Sequence, residues 1–326
     1  MKHNATISSW FNGFDFSLKR LSHQTFAELL KNLATHAGRP VNSIAEAYTV
    51  LFEKLPTPAE RVAAQPRLMR ASELASPFLR PLAELQAYVS RSFSSEELVG
   101  FYVHGSFATM DYSENFSDLD TLVILRKEVA DDPKWAMDVK RRLSRSNTFL
   151  YLMDPLQHHH HFTLTEYDLA HYFEPIFPLI LFEYAVELTG FGNKLTFHCH
   201  TPDSSLREPL AASLGYFESY WPSMQRLRAY DVKNAVSNIL LLPALYLQCK
   251  TGKYLYKRDT FERAKPDFEP ALWSIVERAS QVRGSCAYRS AYPYLMRWWH
   301  DARRAEPAAG RQSCDEPWTR IPPRTL

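Results

Sequence analysis

The chain has 326 residues, 45% of them apolar, and a formal net charge of +2. That length suits two domains with a sizeable buried core, and the near-balanced charge argues against strong global attraction to nucleic acid or an anionic membrane, leaving only a local basic groove open. The 4 cysteines, Cys199, Cys249, Cys286 and Cys314, form no Cys-x-x-Cys pair, so neither a zinc ribbon nor a disulfide framework is indicated.

The opening residues, Met1 to Trp10, lack the apolar core of a signal peptide. The longest apolar run, Ile239 to Leu247, is interrupted by Pro243 and is too short to cross a bilayer. The expectation is a soluble cytoplasmic protein with no membrane partner. Residues 1–72 read as a helical N-terminal extension, with Phe26, Leu29, Leu30 and Leu33 at helical spacing, a second periodic segment from Ile44 to Leu55, and a break at Pro56-Thr-Pro58. Packing over the next domain is its simplest role; covering a site or forming a dimer contact are the alternatives.

Residues 73–168 read as an α/β core with a mixed sheet. A helix from Pro81 to Ser92 leads to a strand at Leu98–Val103. After it come a short helix at Phe107–Tyr112, an apolar strand ending at Leu125 and a charged helix from Pro133 to Ser146. Two further strands are expected, at Phe149–Met153 and across the His-rich run Gln157 to Thr165. Residues 169–304 are expected to be an α-helical bundle, with helices at Leu179–Leu188, Leu206–Ala229, Val232–Lys250, Arg258–Ala264, Ala271–Arg283 and Tyr288–Arg304. The Pro-rich residues 305–326 read as a flexible tail.

The stretch from Tyr102 to Leu125 places His104-Gly105-Ser106 ahead of Asp118-Leu119-Asp120 at the mouth of an apolar strand. Alternation along an extended chain puts Asp118 and Asp120 on one face. Two anionic groups side by side suit a divalent cation, and Mg²⁺ takes oxygen ligands from one or two carboxylates together with substrate phosphates. Gly105 lacks a Cβ and lets an anion approach its backbone closely, and the Ser106 hydroxyl can donate to phosphate.

This arrangement resembles the signature of the DNA polymerase β-like nucleotidyltransferase superfamily. The resemblance implies an enzyme that binds a nucleoside triphosphate with Mg²⁺ and transfers the nucleoside monophosphate to an acceptor, releasing pyrophosphate. It also implies that Gly105 and Ser106 hold the β- and γ-phosphates and that Asp118 and Asp120 hold the metals. The later stretch Cys249-Lys-Thr-Gly-Lys-Tyr-Leu-Tyr-Lys-Arg-Asp-Thr-Phe is similar to the C-terminal bundle of aminoglycoside adenylyltransferases. By that resemblance Lys257 reaches across the cleft to the triphosphate. A lysine is a flexible point charge suited to that contact; Lys233 and Lys250 are poorer candidates.

Nucleotidyl transfer also needs a group to take the acceptor's proton. Asp154, after the Phe149–Met153 run, ranks first, with Asp118, Asp120 and Asp154 as the catalytic carboxylates. His159 or His161 ranks second, since strand alternation puts them on one face, with His158 and His160 on the other. Glu166 ranks third. Tyr216, Phe217, Tyr220 and Trp221 could line a cleft, although their spacing is also that of core residues.

The leading expectation is therefore a Mg²⁺-dependent nucleotidyltransferase moving AMP from ATP to a hydroxyl of a small molecule. The alternatives are a protein or RNA acceptor, the latter weakened by the charge balance, and a degenerate, antitoxin-like module that binds a partner protein.

Overall fold

Two apolar runs are buried along their whole length, which requires cover on both faces of the sheet they build. The computed structural model describes residues 2–13, 23–58, 60–114, 116–157, 159–174, 177–200, 206–220 and 229–285. The described elements belong to one unit, Met1–Tyr288. Their strands are β1 Glu60–Ala64, β2 Arg67–Leu68, β3 Leu98–Val103, β4 Thr121–Leu125, β5 Phe162–Thr165, β6 Tyr172–Phe173, β7 Val186–Glu187 and β8 Leu195–His200.

The larger sheet runs β2-β7-β3-β4-β5 and is mixed: β3 lies antiparallel to β4 and β7, whereas β4 is parallel to β5 and β2 to β7. The smaller sheet runs β1-β8-β6. On one face of the larger sheet Tyr102, Leu122, Ile124 and Leu164 pack against Leu195, Phe197 and Cys199 of β8. On the other, the Phe101 ring meets His161 edge-on at 5.0 Å. His161 in turn touches Ser146 of the helix Pro133–Met153 at 2.7 Å. The fold is thus α+β with a mixed sheet, and its C-terminal part is helical: Glu208–Tyr220, Ala229–Thr251, Phe261–Ala264 and Pro270–Ser285.

Two expected strands are corrected. Phe149–Met153 is the last turn and a half of the Pro133–Met153 helix, because the buried positions Ala136, Val139, Leu143, Asn147 and Leu150 carry helical spacing straight into it. The His-rich run joins the sheet only at Phe162, because its partner β4 begins at Thr121 and the first ladder pair is Leu122 with Phe162. The Phe107–Tyr112 helix is a single turn, Gly105–Ala108, closed by Met110 at a left-handed φ of 59°.

The expected helical extension and bundle also contain strands. β1 and β2 fall within residues 1–72, while β6, β7 and β8 fall after residue 169, and Leu179–Leu188 divides into a helix at Ile180–Tyr184 and β7. The helix Lys2–Asn12, at the start of the expected helical extension, covers the open edge of β5: Thr163 donates its N–H to Ser8 Oγ at 2.9 Å. The Asn12 amide donates to the His161 carbonyl, and Lys140 donates to the Trp10 carbonyl. An edge covered in this way offers no template for pairing with another chain. Tyr288–Arg304 and residues 305–326 lie outside the described residues.

The C-terminal helices dock on the loop that carries the carboxylates. Phe116, two residues ahead of Asp118, is buried among Val236, Leu240 and Ala279, a contact that stabilises the docking by roughly 1.5–3 kcal/mol. Among the described residues no helix is long and apolar enough to cross a membrane.

Candidate active site

The Gly-Ser turn and the two aspartates meet at the same end of β3 and β4. His104, just past β3, donates its N–H to the Asp120 carbonyl at 3.0 Å, which extends the ladder and sets Gly105 against Asp120. Gly105 has φ +66°, and a Cβ there would stand 2.4 Å from Asp120 Oδ2. Glycine is required twice, for the left-handed backbone and for the room taken by the carboxylate.

Asp118 and Asp120 converge on one point. His159 Nε2 lies 3.0 Å from Asp118 Oδ2 and 3.1 Å from Asp120 Oδ1. Burial pulls this imidazole toward neutrality, but the hydrogen bonds to both carboxylates outweigh it and hold its pKa up at about 10. The ring is held from behind by Gln157, whose amide contacts Nδ1 at 2.7 Å and pairs in both directions with the Leu119 main chain, at 3.1 and 3.3 Å. Together Asp118, Asp120 and His159 form the one group able to hold a metal ion among the described residues.

The other candidates for the third group are differently placed. Asp154 follows the helix Pro133–Met153 and is buried in an ion pair with Lys233, which also lies 3.8 Å from Asp118 Oδ2. Burial pushes the Asp154 carboxyl up, with Lys233 opposing. Asp154 therefore borders the site with its charge already matched.

His161 is a core residue. Its ring nitrogens meet Thr121 Oγ1 and Ser146 Oγ, both at 2.7 Å, and burial lowers its pKa to about 3. Glu166 stands at the far end of β5, paired with Arg126 at 2.8 Å. His160 contacts Tyr151 Oη at 3.4 Å, and His158 lies outside the described residues.

A cleft of about 520 Å³ joins these residues to the helical half. Its walls include Gly105, Ser106, Asp118, Asp120, Lys257 and Arg283. Lys257 opens the turn Lys257–Thr260, and burial, then the charge of Arg283, lowers its pKa to about 8 against the pull of Asp118 and Asp120. Lys250 pairs on the surface with Asp267 at 2.6 Å.

Of the aromatics suggested for a cleft, Tyr216 accepts from the Asn234 amide at 3.0 Å and its ring meets Phe217 edge-on at 5.4 Å. Neither lines this cleft. The Tyr220 side chain and Trp221 lie outside the described residues.

Several site residues carried little signal. Tyr256 donates to the Gly105 carbonyl at 3.0 Å, and Arg283 donates to the Asp111 carbonyl at 2.9 Å. Nothing in one sequence announces such main-chain contacts. Lys233 had a weak signal: it heads the stripe Ser237, Leu241, Ala244 and Gln248, which lines the cleft at helical spacing.

Chemically, the arrangement offers a pair of carboxylates for a cation, an imidazole against both, and two cations beside a glycine turn. Comparison with protein-family models, curated proteins and solved structures found no match for the chain.

Proposed function

We propose that the protein is a divalent-cation-dependent nucleotidyltransferase that moves a nucleoside monophosphate, AMP from ATP, to the hydroxyl of a small-molecule acceptor. The observation that carries this reading is convergence: Gly105-Ser106, Asp118-x-Asp120 and Lys257, from three separate segments, line one cleft. The donor set fits Mg²⁺ or a similar ion. Two carboxylate oxygens already face a single cationic centre, the His159 imidazolium, and hard divalent ions take such oxygens.

Asp118 and Asp120 hold the ion, which when bound supplies neutralisation of phosphate charge. Ser106 and Lys257 bind the β- and γ-phosphates. The acceptor oxygen bonds to the α-phosphorus as the bond to the bridging oxygen breaks, and pyrophosphate leaves with that electron pair. His159 Nε2 takes the acceptor's proton, since of the four groups considered it alone touches both aspartates. With a cation on Asp118 and Asp120, His159 would lose the two hydrogen bonds that hold its own proton and would then be able to accept the acceptor's.

Incubation with α-labelled ATP, Mg²⁺ and a panel of hydroxyl compounds is expected to give a labelled acceptor and pyrophosphate. D118N and D120N should fold as the wild type does and transfer nothing. Absence of transfer by the wild type with all four nucleoside triphosphates refutes the reading. The Asp154–Lys233 pair, which commits the third carboxylate, favours a second reading as a nucleotide-binding module without turnover; sustained turnover removes it.

A further inference from the structure

The helical half grips the Gly-Ser turn by two hydrogen bonds, one on each side of Ser106. Tyr256 Oη donates to the Gly105 carbonyl at 3.0 Å. Arg283 donates from one terminal nitrogen to the Asp111 carbonyl at 2.9 Å, with Ser117 Oγ 3.5 Å from the same nitrogen. Both main acceptors are backbone atoms, so the grip does not depend on side-chain rotamers in the loop. Its consequence is positional: Lys257, next in sequence to Tyr256, and Arg283 both stand on the wall of the cleft that holds Gly105 and Ser106.

Among the described residues neither Lys257 nor Arg283 forms an ion pair with a carboxylate. Two like charges facing one partly buried space repel each other, and an anion that contacts both relieves the repulsion. Arg283 uses one terminal nitrogen for the loop. Its guanidinium carries five N–H donors in a planar fork, a geometry that matches phosphate oxygens in pairs.

We propose that Arg283 is a second phosphate-binding residue, which with Lys257 makes the cleft select polyphosphate tails, those of nucleoside triphosphates and inorganic pyrophosphate, over monophosphates. The proposal rests on the nucleotidyl-transfer reading of the same cleft, and it assigns the tail selectivity to a residue at the end of the last described helix.

The test is calorimetric titration of the full chain with ATP, AMP and pyrophosphate, using the wild type, R283Q and R283K, with circular dichroism to check folding. The wild type is expected to bind ATP and pyrophosphate more tightly than AMP. R283Q should weaken ATP and pyrophosphate by roughly tenfold or more, the loss of one charged hydrogen bond or more, and AMP by less than about twofold. R283K, which keeps the charge without the fork, should fall between.

Equal weakening of ATP and AMP in R283Q means that Arg283 only holds the loop, and overturns the proposal. So does ATP binding by R283Q that is as tight as that of the wild type. A wild type that binds none of the three ligands overturns the nucleotidyl-transfer reading and this proposal with it, and is distinguishable from the other two outcomes.

Discussion

Replacing Gly105 by alanine tests whether the two halves of the motif are mechanically joined. The left-handed φ of +66° costs a residue with a Cβ about 1–2 kcal/mol. The added methyl would also meet Asp120 Oδ2 at 2.4 Å, well inside van der Waals contact. The carboxylate is the end of a side chain and can swing away, so the clash adds little to the stability loss. Swinging moves Oδ1 from its 3.1 Å contact with His159 and away from the point it shares with Asp118. G105A is therefore expected to lose about 1–2 kcal/mol in urea unfolding, while its affinity for Mg²⁺ or Mn²⁺ in calorimetric titration drops by roughly 10–100-fold, the size seen when the support of a ligand is disturbed. If G105A loses the stability but binds the cation as tightly as the wild type, Gly105 is only a turn residue and the coupling to Asp120 is refuted.

Removing Lys233 should be costly and removing both members of its pair should not. K233M leaves Asp154 buried without its partner and is expected to lower unfolding free energy by about 3–5 kcal/mol, with K233M/D154L regaining most of it in the same urea titration. His161 makes stability depend on acid: its folded pKa of about 3 lies below the ordinary 6.5, so its contribution is complete above pH 6.5 and is lost as pH falls toward 3, by about 2 kcal/mol between pH 7.5 and pH 5. Asp168, with its pKa raised to about 6 by burial, works in the opposite sense, so the quantity to measure is the wild type minus H161Q difference at the two pH values. Y256F removes the donor to the Gly105 carbonyl and should cost about 0.5–1.5 kcal/mol of stability in urea unfolding, with ATP binding weakened in parallel if the grip on the turn matters.

How much of the fold the chain declares depends on whether an element is specified locally. Leu98–Val103 reads correctly because a six-residue apolar run between polar segments has one comfortable use, a strand buried on both faces. Phe149–Met153 reads wrongly because five apolar residues serve equally as a buried strand or as the buried end of a helix, and only the periodicity reaching back to Ala136 decides. The two-residue strands are illegible for a different reason. Val186–Glu187 becomes β7 only because β2 and β3 lie on either side of it, one contributed by residues more than a hundred positions earlier. Glu187 is buried there because the main-chain N–H groups of Phe191 and Gly192 and the hydroxyl of Thr189 satisfy its carboxylate, a local turn chemistry with no apolar pattern to announce it.

The site divides along the same line. Gly105, Ser106, Asp118 and Asp120 are legible because a turn, a strand alternation and a carboxylate pair are local facts. Which acidic group completes them is not local, since a carboxylate is available only if nothing else has matched its charge. Asp154 stands at the right end of the right helix, and Lys233, 79 residues later in the chain, does permanently for Asp154 what the proposed cation would do for Asp118 and Asp120. With that charge matched inside the fold, the imidazole of His159 is the group left facing both aspartates. In the proposed mechanism the choice of His159 over Asp154 thus rests on where one buried lysine points. Removing the lysine's charge with K233Q leaves Asp154 without its match beside Asp118; a tighter Mg²⁺ or Mn²⁺ complex in calorimetric titration of that variant is expected if Lys233 is what keeps Asp154 from the cation, and an unchanged affinity refutes it.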